Sequence, residues 1–299
     1  MKKVSVIFLT ICLFLTGCNL IKTTTRENKP IVPRTTDISS GIKDEGNSFS
    51  YSFDLDFDGE DENITMEIEW NEVDDWESKL LVTAGDYKKE LPMMGGIISA
   101  VYACDIDTKD NVLDIAIITT EVSDDPRLRI LKYDEDFTQY TFSFDDIEGI
   151  QDELWIGYAV TQYFKVNDDD TITVEEQTPS YGMWSVYKTY ARNSDGVFEE
   201  LVPKYYEILP DFMERGMYRE SFDKYELEMW KKGYIKAYSD YDDGTLVIKT
   251  DEYVKPLYDD GKNKIYLEKE NGENGWMNMD YADGYNPDNF NPYFFFLAG

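Results

Sequence analysis

The sequence contains no histidine. That removes histidine-based nucleophilic triads, the commonest general base and most zinc sites. Basic residues are scarce as well: 29 Lys and Arg stand against 61 Asp and Glu, a formal net charge of -32. The deficit argues against nucleic acid as a partner, because phosphates need lysine and arginine to neutralise them. It also argues against a bare anionic membrane or wall polymer as direct ligand. Cations or a basic protein surface suit the chain better, and solubility of an exposed protein is the plainer account of the charge. There are only 3 cysteines. No nucleophile elbow, phosphate loop or zinc-ligand spacing occurs. What the chain does have is apolar and aromatic material, 42% hydrophobic and 15% aromatic with 23 Tyr. That is enough for real cores and excludes a disordered acidic tail. A length of 299 residues leaves room for two domains.

Lys2 and Lys3 precede an apolar stretch, Val4 to Leu15, that is too short to span a bilayer comfortably. Small residues and a cysteine follow, Leu15-Thr16-Gly17-Cys18. A charged start, a short apolar run and small residues before a cut describe a secretory signal. This one resembles a bacterial lipobox. The resemblance implies cleavage before Cys18, a diacylglyceryl group on its sulfur, and a protein anchored on the outward face of a bacterial cell membrane. Cys12 then leaves with the leader, and Cys104 remains as a lone thiol in the apolar run Ala100-Val101-Tyr102-Ala103, which favours burial. Residues 18–47 are rich in Thr, Pro and Ser and read as a flexible tether.

From Phe49 the pattern has period two. Phe49, Tyr51, Phe53 and Leu55 alternate with polar residues, as do Ile64, Met66, Ile68 and Trp70. Strand, polar turn, strand recurs to about residue 205, an antiparallel pattern. Between the first two strands lies Asp54-Leu55-Asp56-Phe57-Asp58-Gly59-Glu60-Asp61-Glu62. Carboxylates at positions one, three and five of a tight loop can converge on a calcium ion, which needs six to eight oxygens. Gly59 stands where the chain must turn. Glu60 offers a backbone carbonyl and Glu62 a further acid. Position twelve is Thr65 and the flanks alternate as strands, so a helix-loop-helix calcium hand is rejected. An acidic Asp-Gly turn without metal is the alternative.

The segment is similar to the calcium loop of FG-GAP and VCBS-type repeats, in which strands flank Asp-x-Asp-x-Asp-Gly-x-x-Asp. Asp54, Asp56, Asp58 and Gly59 match, with Glu62 for the last Asp. A weaker copy starts at Asp105 and Asp107, 51 residues on. There Lys109 replaces the third acid and one residue is inserted before Asp114, so a metal-free relic with Lys109 supplying charge is expected. Asp168-Asp169-Asp170 reads as a solvated hairpin turn. The expected fold class is all-β, with propeller-like or sandwich antiparallel sheets over 48–205. A linker at 206–225 with a helical turn or two, and a small β-barrel-like domain over 226–299, complete it.

In that last region short strands separated by glycine turns end in Gly275-Trp276. This resembles a small bacterial Src-homology-type barrel, a module whose aromatic grooves bind wall peptides or proteins. Tyr234, Tyr238, Tyr258 and Trp276 are the candidate groove; core and rim packing is the other reading of these rings. The apolar end, Tyr293-Phe294-Phe295-Phe296-Leu297, is expected to pack as a last strand or plug. Three functions are carried forward. The first is a lipid-anchored, surface-exposed binding or scaffold protein without catalysis, stiffened by calcium and meeting an unknown protein or cell-wall ligand. The second is a carbohydrate-acting hydrolase using a carboxylate pair. The third is a cell-envelope structural or sensing protein.

Overall fold

The computed structural model describes residues 33–71, 77–121, 125–144, 147–156, 163–177, 185–209, 223–237, 241–242 and 246–278. The leader, Cys18, Tyr238 and the apolar end lie outside them. Two short strands open the described chain, β1 (Thr35–Asp37) and β2 (Ile42–Lys43). A meander follows, β3 (Ser48–Phe53), β4 (Glu62–Trp70), β5 (Ser78–Ala84) and β6 (Tyr87–Met93). Next come β7 (Ile97–Cys104), β8 (Asp114–Glu121), β9 (Asp125–Leu131), β10 (Phe142–Phe144), β11 (Ile147–Gln151) and β12 (Leu154–Trp155). A second meander holds β13 (Phe164–Val166), β14 (Ile172–Gln177), β15 (Ser185–Arg192) and β16 (Phe198–Glu200). Beyond β17 (Tyr206–Glu207) stand one helix, α1 (Lys224–Lys231), and the short strands β18 (Ile235–Lys236), β19 (Tyr241–Asp242) and β20 (Val247–Ile248). The final meander is β21 (Tyr253–Asp259), β22 (Lys264–Lys269) and β23 (Asn274–Asn278). The protein is all-β. No described helix is long and apolar enough to cross a membrane.

The strands form stacked sheets that are antiparallel except where β10 runs parallel to β16. The first has the order β2-β3-β4-β5-β6, the second β1-β7-β8-β9-β12 and the third β11-β10-β16-β15-β14-β13. Alternation explains the first sheet: Ile64 and Met66 of β4, and Leu80 and Val82 of β5, are buried, while Glu67 is exposed. Those side chains pack on Val101, Ala103, Ile115 and Ile117 of the second sheet. The intervening residues of the second sheet, Ala100, Cys104, Ala116 and Ile118, pack the other way, onto Phe142, Ile172, Val174 and Phe198 of the third. The second sheet is therefore a middle layer with both faces buried, and β8 reads Ile-Ala-Ile-Ile because neither face meets water. A buried Arg129 pins the first two sheets together. It donates to Thr119 Oγ1 (2.8 Å), to Glu121 Oε1 (2.7 Å) and to the Pro92 carbonyl of β6 (3.2 Å), and pairs with Glu153.

The fourth sheet has the order β17-β21-β22-β23, with β18 also on β21. Its inner face, Val254, Ile265, Leu267 and Met277, shares a core with Val186 of β15. Among the described residues this sheet is open, so the expected barrel is not closed; an antiparallel sheet layer takes its place. Three further expectations shift. Residues 35–46, expected in the tether, belong to the body: β1 pairs with β7, β2 with β3, and Ile38 is fully buried. Tyr206 and Glu207, expected in a linker, form the edge strand β17. The Lys224–Lys231 segment, which straddles the expected linker and barrel, is helical.

Candidate functional site

The acidic loop joins β3 to β4, and local backbone hydrogen bonds fold it. Asp54 Oδ2 accepts from Gly59 N (3.2 Å), Asp56 Oδ1 from Asp58 N (3.1 Å) and Asp58 Oδ1 from Glu60 N (2.8 Å). Each of the three carboxylates thus has one oxygen tied to the chain. The turn needs left-handed backbone at Phe57 (φ 60°) and Gly59 (φ 94°), and glycine adopts that conformation at least cost. Asp54, Asp56 and Asp58 each present an oxygen within 4.8 Å of the others. Asp54 Oδ1 is shut off from solvent and has no hydrogen-bond partner. Glu62 closes the loop by accepting from Leu55 N (2.6 Å). Its burial, and then the charges of Asp56 and Asp54, push its carboxyl above the usual range. Glu60 is exposed, and only its backbone enters the loop.

The site residues fit a calcium ion. The donors are hard oxygens, three carboxylates converge, and one of their oxygens is orphaned. Among the described residues, no lysine or arginine pairs with Asp54, Asp56 or Asp58.

The second acidic loop occupies the same place in the second sheet, between β7 and β8, and Leu113 at its end donates to the Leu55 carbonyl of the first loop (2.7 Å). Its charges are balanced by protein cations. Asp107 faces Arg192 at 3.4 Å and Asp110 faces Lys132 at 3.2 Å. Arg34 Nη2 donates to the Asp105 carbonyl (2.9 Å) and pairs with Asp170 (2.8 Å) in the loop between β13 and β14. Lys109, expected to supply charge, is exposed; its backbone N–H caps Asp107 (3.0 Å), and against the opposing effect of burial that hydrogen bond, Arg192 and the Lys109 charge hold the Asp107 carboxyl below its usual range. Asp114 is 1% exposed. One of its oxygens accepts from Tyr140 Oη (3.1 Å) and from Ile106 N (3.3 Å); the other has no partner. Burial, reinforced by the charge of Asp110, pushes Asp114 up to about 8. Cys104 is buried beside it, and its thiol is pushed up by burial.

The aromatic groove is partly regrouped. Cross-strand register places Tyr258 opposite Tyr266, and Tyr266 opposite Trp276, on the face of the fourth sheet turned away from its core. Tyr205 joins them at 5.9 Å from both Tyr258 and Trp276, and Tyr266 lies 5.3 Å from Trp276. Neighbouring rings are tilted by 43–65°. Tyr205 and Tyr258 are exposed at 41% and 39%. Lys204 Nζ sits over the Tyr205 ring at 5.0 Å. Tyr234 is not in this row; it donates its hydroxyl to Glu268 (2.7 Å). Tyr205 and Tyr266 were missed by the sequence reading. The signal for Tyr266 was its position midway through two hairpins, which sets it beside both Tyr258 and Trp276.

A carboxylate pair exists, the buried Glu176 and the partly exposed Glu200, but Lys188 lies between them, 3.0 Å from the first and 3.4 Å from the second. No protein family, curated protein or solved structure matches this chain.

Proposed function

We propose that the protein is a lipid-anchored, outward-facing binding or scaffold protein of a bacterial envelope, with calcium held in its first acidic loop. The leader ending in Leu15-Thr16-Gly17-Cys18 supports the anchor. The observation that carries the binding reading is the row Tyr205, Tyr258, Tyr266 and Trp276 on the outer face of the fourth sheet. Exposed tyrosines offer large, rigid, amphipathic contact area at small entropic cost, which is why such residues concentrate binding energy. Neighbouring rings are tilted against one another rather than aligned as one flat platform, which favours a protein or wall peptide over a flat sugar chain as the ligand class. Calcium would stiffen the loop by balancing three converging carboxylates. The test is capture from solubilised envelope material by the intact protein and by a Tyr205→Ala/Tyr258→Ala double variant. Retention of a partner by wild type and at least tenfold less by the variant is expected, since two exposed contact aromatics contribute about 1 kcal/mol or more each. Equal retention removes the aromatic row as the binding face.

A further inference from the structure

The joint between the third and fourth sheets is made by the segment 206–209, which is bonded on both sides. Towards the fourth sheet Tyr206 pairs with Asp259 and Glu207 with Tyr258, and Ile208 N donates to the Leu257 carbonyl (3.0 Å). Towards the third sheet Ile208 bridges to Val186, and Leu209 N donates to the Ser185 carbonyl (2.8 Å). Above this strap lies the cluster built on Lys188. Tyr190 donates its hydroxyl to Glu176 Oε1, Lys188 holds Glu176 Oε2 and Glu200 Oε2, and Tyr206 donates its hydroxyl to Glu200 Oε1. Glu176, Tyr190 and Tyr206 are 5%, 2% and 4% exposed. The chain Glu176–Lys188–Glu200–Tyr206 therefore runs from β14 through β15 and β16 to β17, across the seam. Gly261 leaves space for the Tyr206 ring, since a Cβ there would lie 2.8 Å from Tyr206 Cε2.

Two carboxylates share one ammonium, and while Glu176 is buried, Lys188 and Glu200 keep 15% and 21% of their side-chain exposure. With both ionised the cluster carries one uncompensated negative charge, and an unbalanced buried charge is costly. With one proton bound, a single ion pair remains. We propose that this cluster is a proton-operated latch on the joint, tight when the carboxylate pair holds a proton and looser when it has lost it. Glu176 is the seat of the proton, because it is the more deeply buried of the two. The groups facing it are Lys188 and Tyr190 from β15, Glu200 from β16 and Tyr206 from β17, with Asp259 of β21 beyond Tyr206. The burial of Glu176 raises its carboxyl above the usual range, and Lys188 only partly offsets this. A folded-state value raised above the unfolded one stabilises the closed joint at low pH, and that contribution fades as pH rises through the folded value.

The test is hydrogen exchange of the amides of 206–209 in the full chain at pH 5, 6, 7 and 8, corrected for the intrinsic rate. Wild-type protection should fall as pH rises, by about tenfold for each unit that separates the closed and open values. Glu176→Gln, which stays uncharged, should fall less steeply than wild type, by the part that the latch contributes. Lys188→Met should move the fall to higher pH, because it removes the cation that favours the ionised pair. Wild-type protection that is flat or rises with pH overturns the proposal, as does a fall in Glu176→Gln parallel to that of wild type. If Glu176→Gln does not fold, an unmoved profile in Lys188→Met overturns it equally.

Discussion

The two acidic loops sit at the same rank of two consecutive sheets, each joining the second and third strands in the sheet order, yet they settle their charge in opposite ways. The β7–β8 loop recruits cations from distant chain segments, Lys132 and Arg192, and hides its innermost acid, Asp114, whose carboxyl burial pushes up to about 8. The β3–β4 loop converges three acids within 4.8 Å and has no such cation beside them among the described residues. The lesson is that an Asp-x-Asp pattern defines a turn, whereas its surroundings decide whether the turn needs an ion from solution. The first loop retains a reason to bind one. In the second, protein cations stand beside Asp110 and Asp107.

The largest expected difference between the loops concerns pH. Asp114 is raised to about 8 in the folded protein, while an unfolded aspartate titrates near ~4. Its folded-state proton therefore contributes stability that is fully present below the unfolded value and lost as pH rises through about 8. The slope is up to about 1.4 kcal/mol per pH unit, so wild type should lose as much as about 4 kcal/mol from this site between pH 5 and pH 8. Asp114→Asn keeps an acceptor for Tyr140 and Ile106 and removes the titration. Urea unfolding at the two pH values should show a loss in the variant smaller than that of wild type by about this amount. An identical pH slope in both proteins would mean that Asp114 is ionised, and the contrast between the loops would collapse.

Calcium probes the other side of the comparison. A ligand at a hundredfold excess over its dissociation constant stabilises by about 2.7 kcal/mol. Thermal unfolding with Ca2+ against chelator should then move by several degrees, roughly 2–4 °C for each kcal/mol in a body of this size. Asp56→Ala should abolish the shift, whereas Asp107→Ala should leave it intact. A calorimetric titration of wild type that shows no heat and no thermal shift would return the first loop to a plain acidic turn.

The sequence carried the strands whose alternation is set by burial. β3, β4, β5 and the hairpin of β13 and β14 are legible because one face is apolar and the turn residues are Asp, Asn and Gly. β6 was not, since Tyr87-Lys88-Lys89-Glu90-Leu91-Pro92-Met93 is an edge strand whose charges and proline guard an open side. The helix was missed although its start is written in the chain. Asp223 Oδ1 accepts from Tyr225 N (2.7 Å) and Glu226 N (2.8 Å), while Glu226 reaches back to Asp223 N (3.0 Å), a capping box. Gly233, with φ 87°, stands just beyond its end. Leu227 and Met229, two apart, imitate a strand over so short a span. In the candidate site, the convergence of Asp54, Asp56 and Asp58 was legible because neighbours in sequence make it. Lys132, Arg192 and Arg34 were not, because long-range packing brings them to the second loop.

The smallest effect is the most discriminating for that last point. Lys132 and Asp110 are partly exposed, 36% and 28%, so their ion pair is a surface one worth about 0.2–1 kcal/mol. Lys132→Met should cost about that much at neutral pH. It should do something further that an ordinary surface pair would not. Asp110 raises Asp114, and Lys132 works to lower it. Removing the lysine leaves Asp110 unbalanced, so the pH at which this loss of stability is complete should move upward relative to wild type. The calcium response should be unchanged, because Lys132 has no ion pair with the first loop. A Lys132→Met protein that loses its calcium response would show that the two loops, joined through Leu113 and Leu55, act as one site.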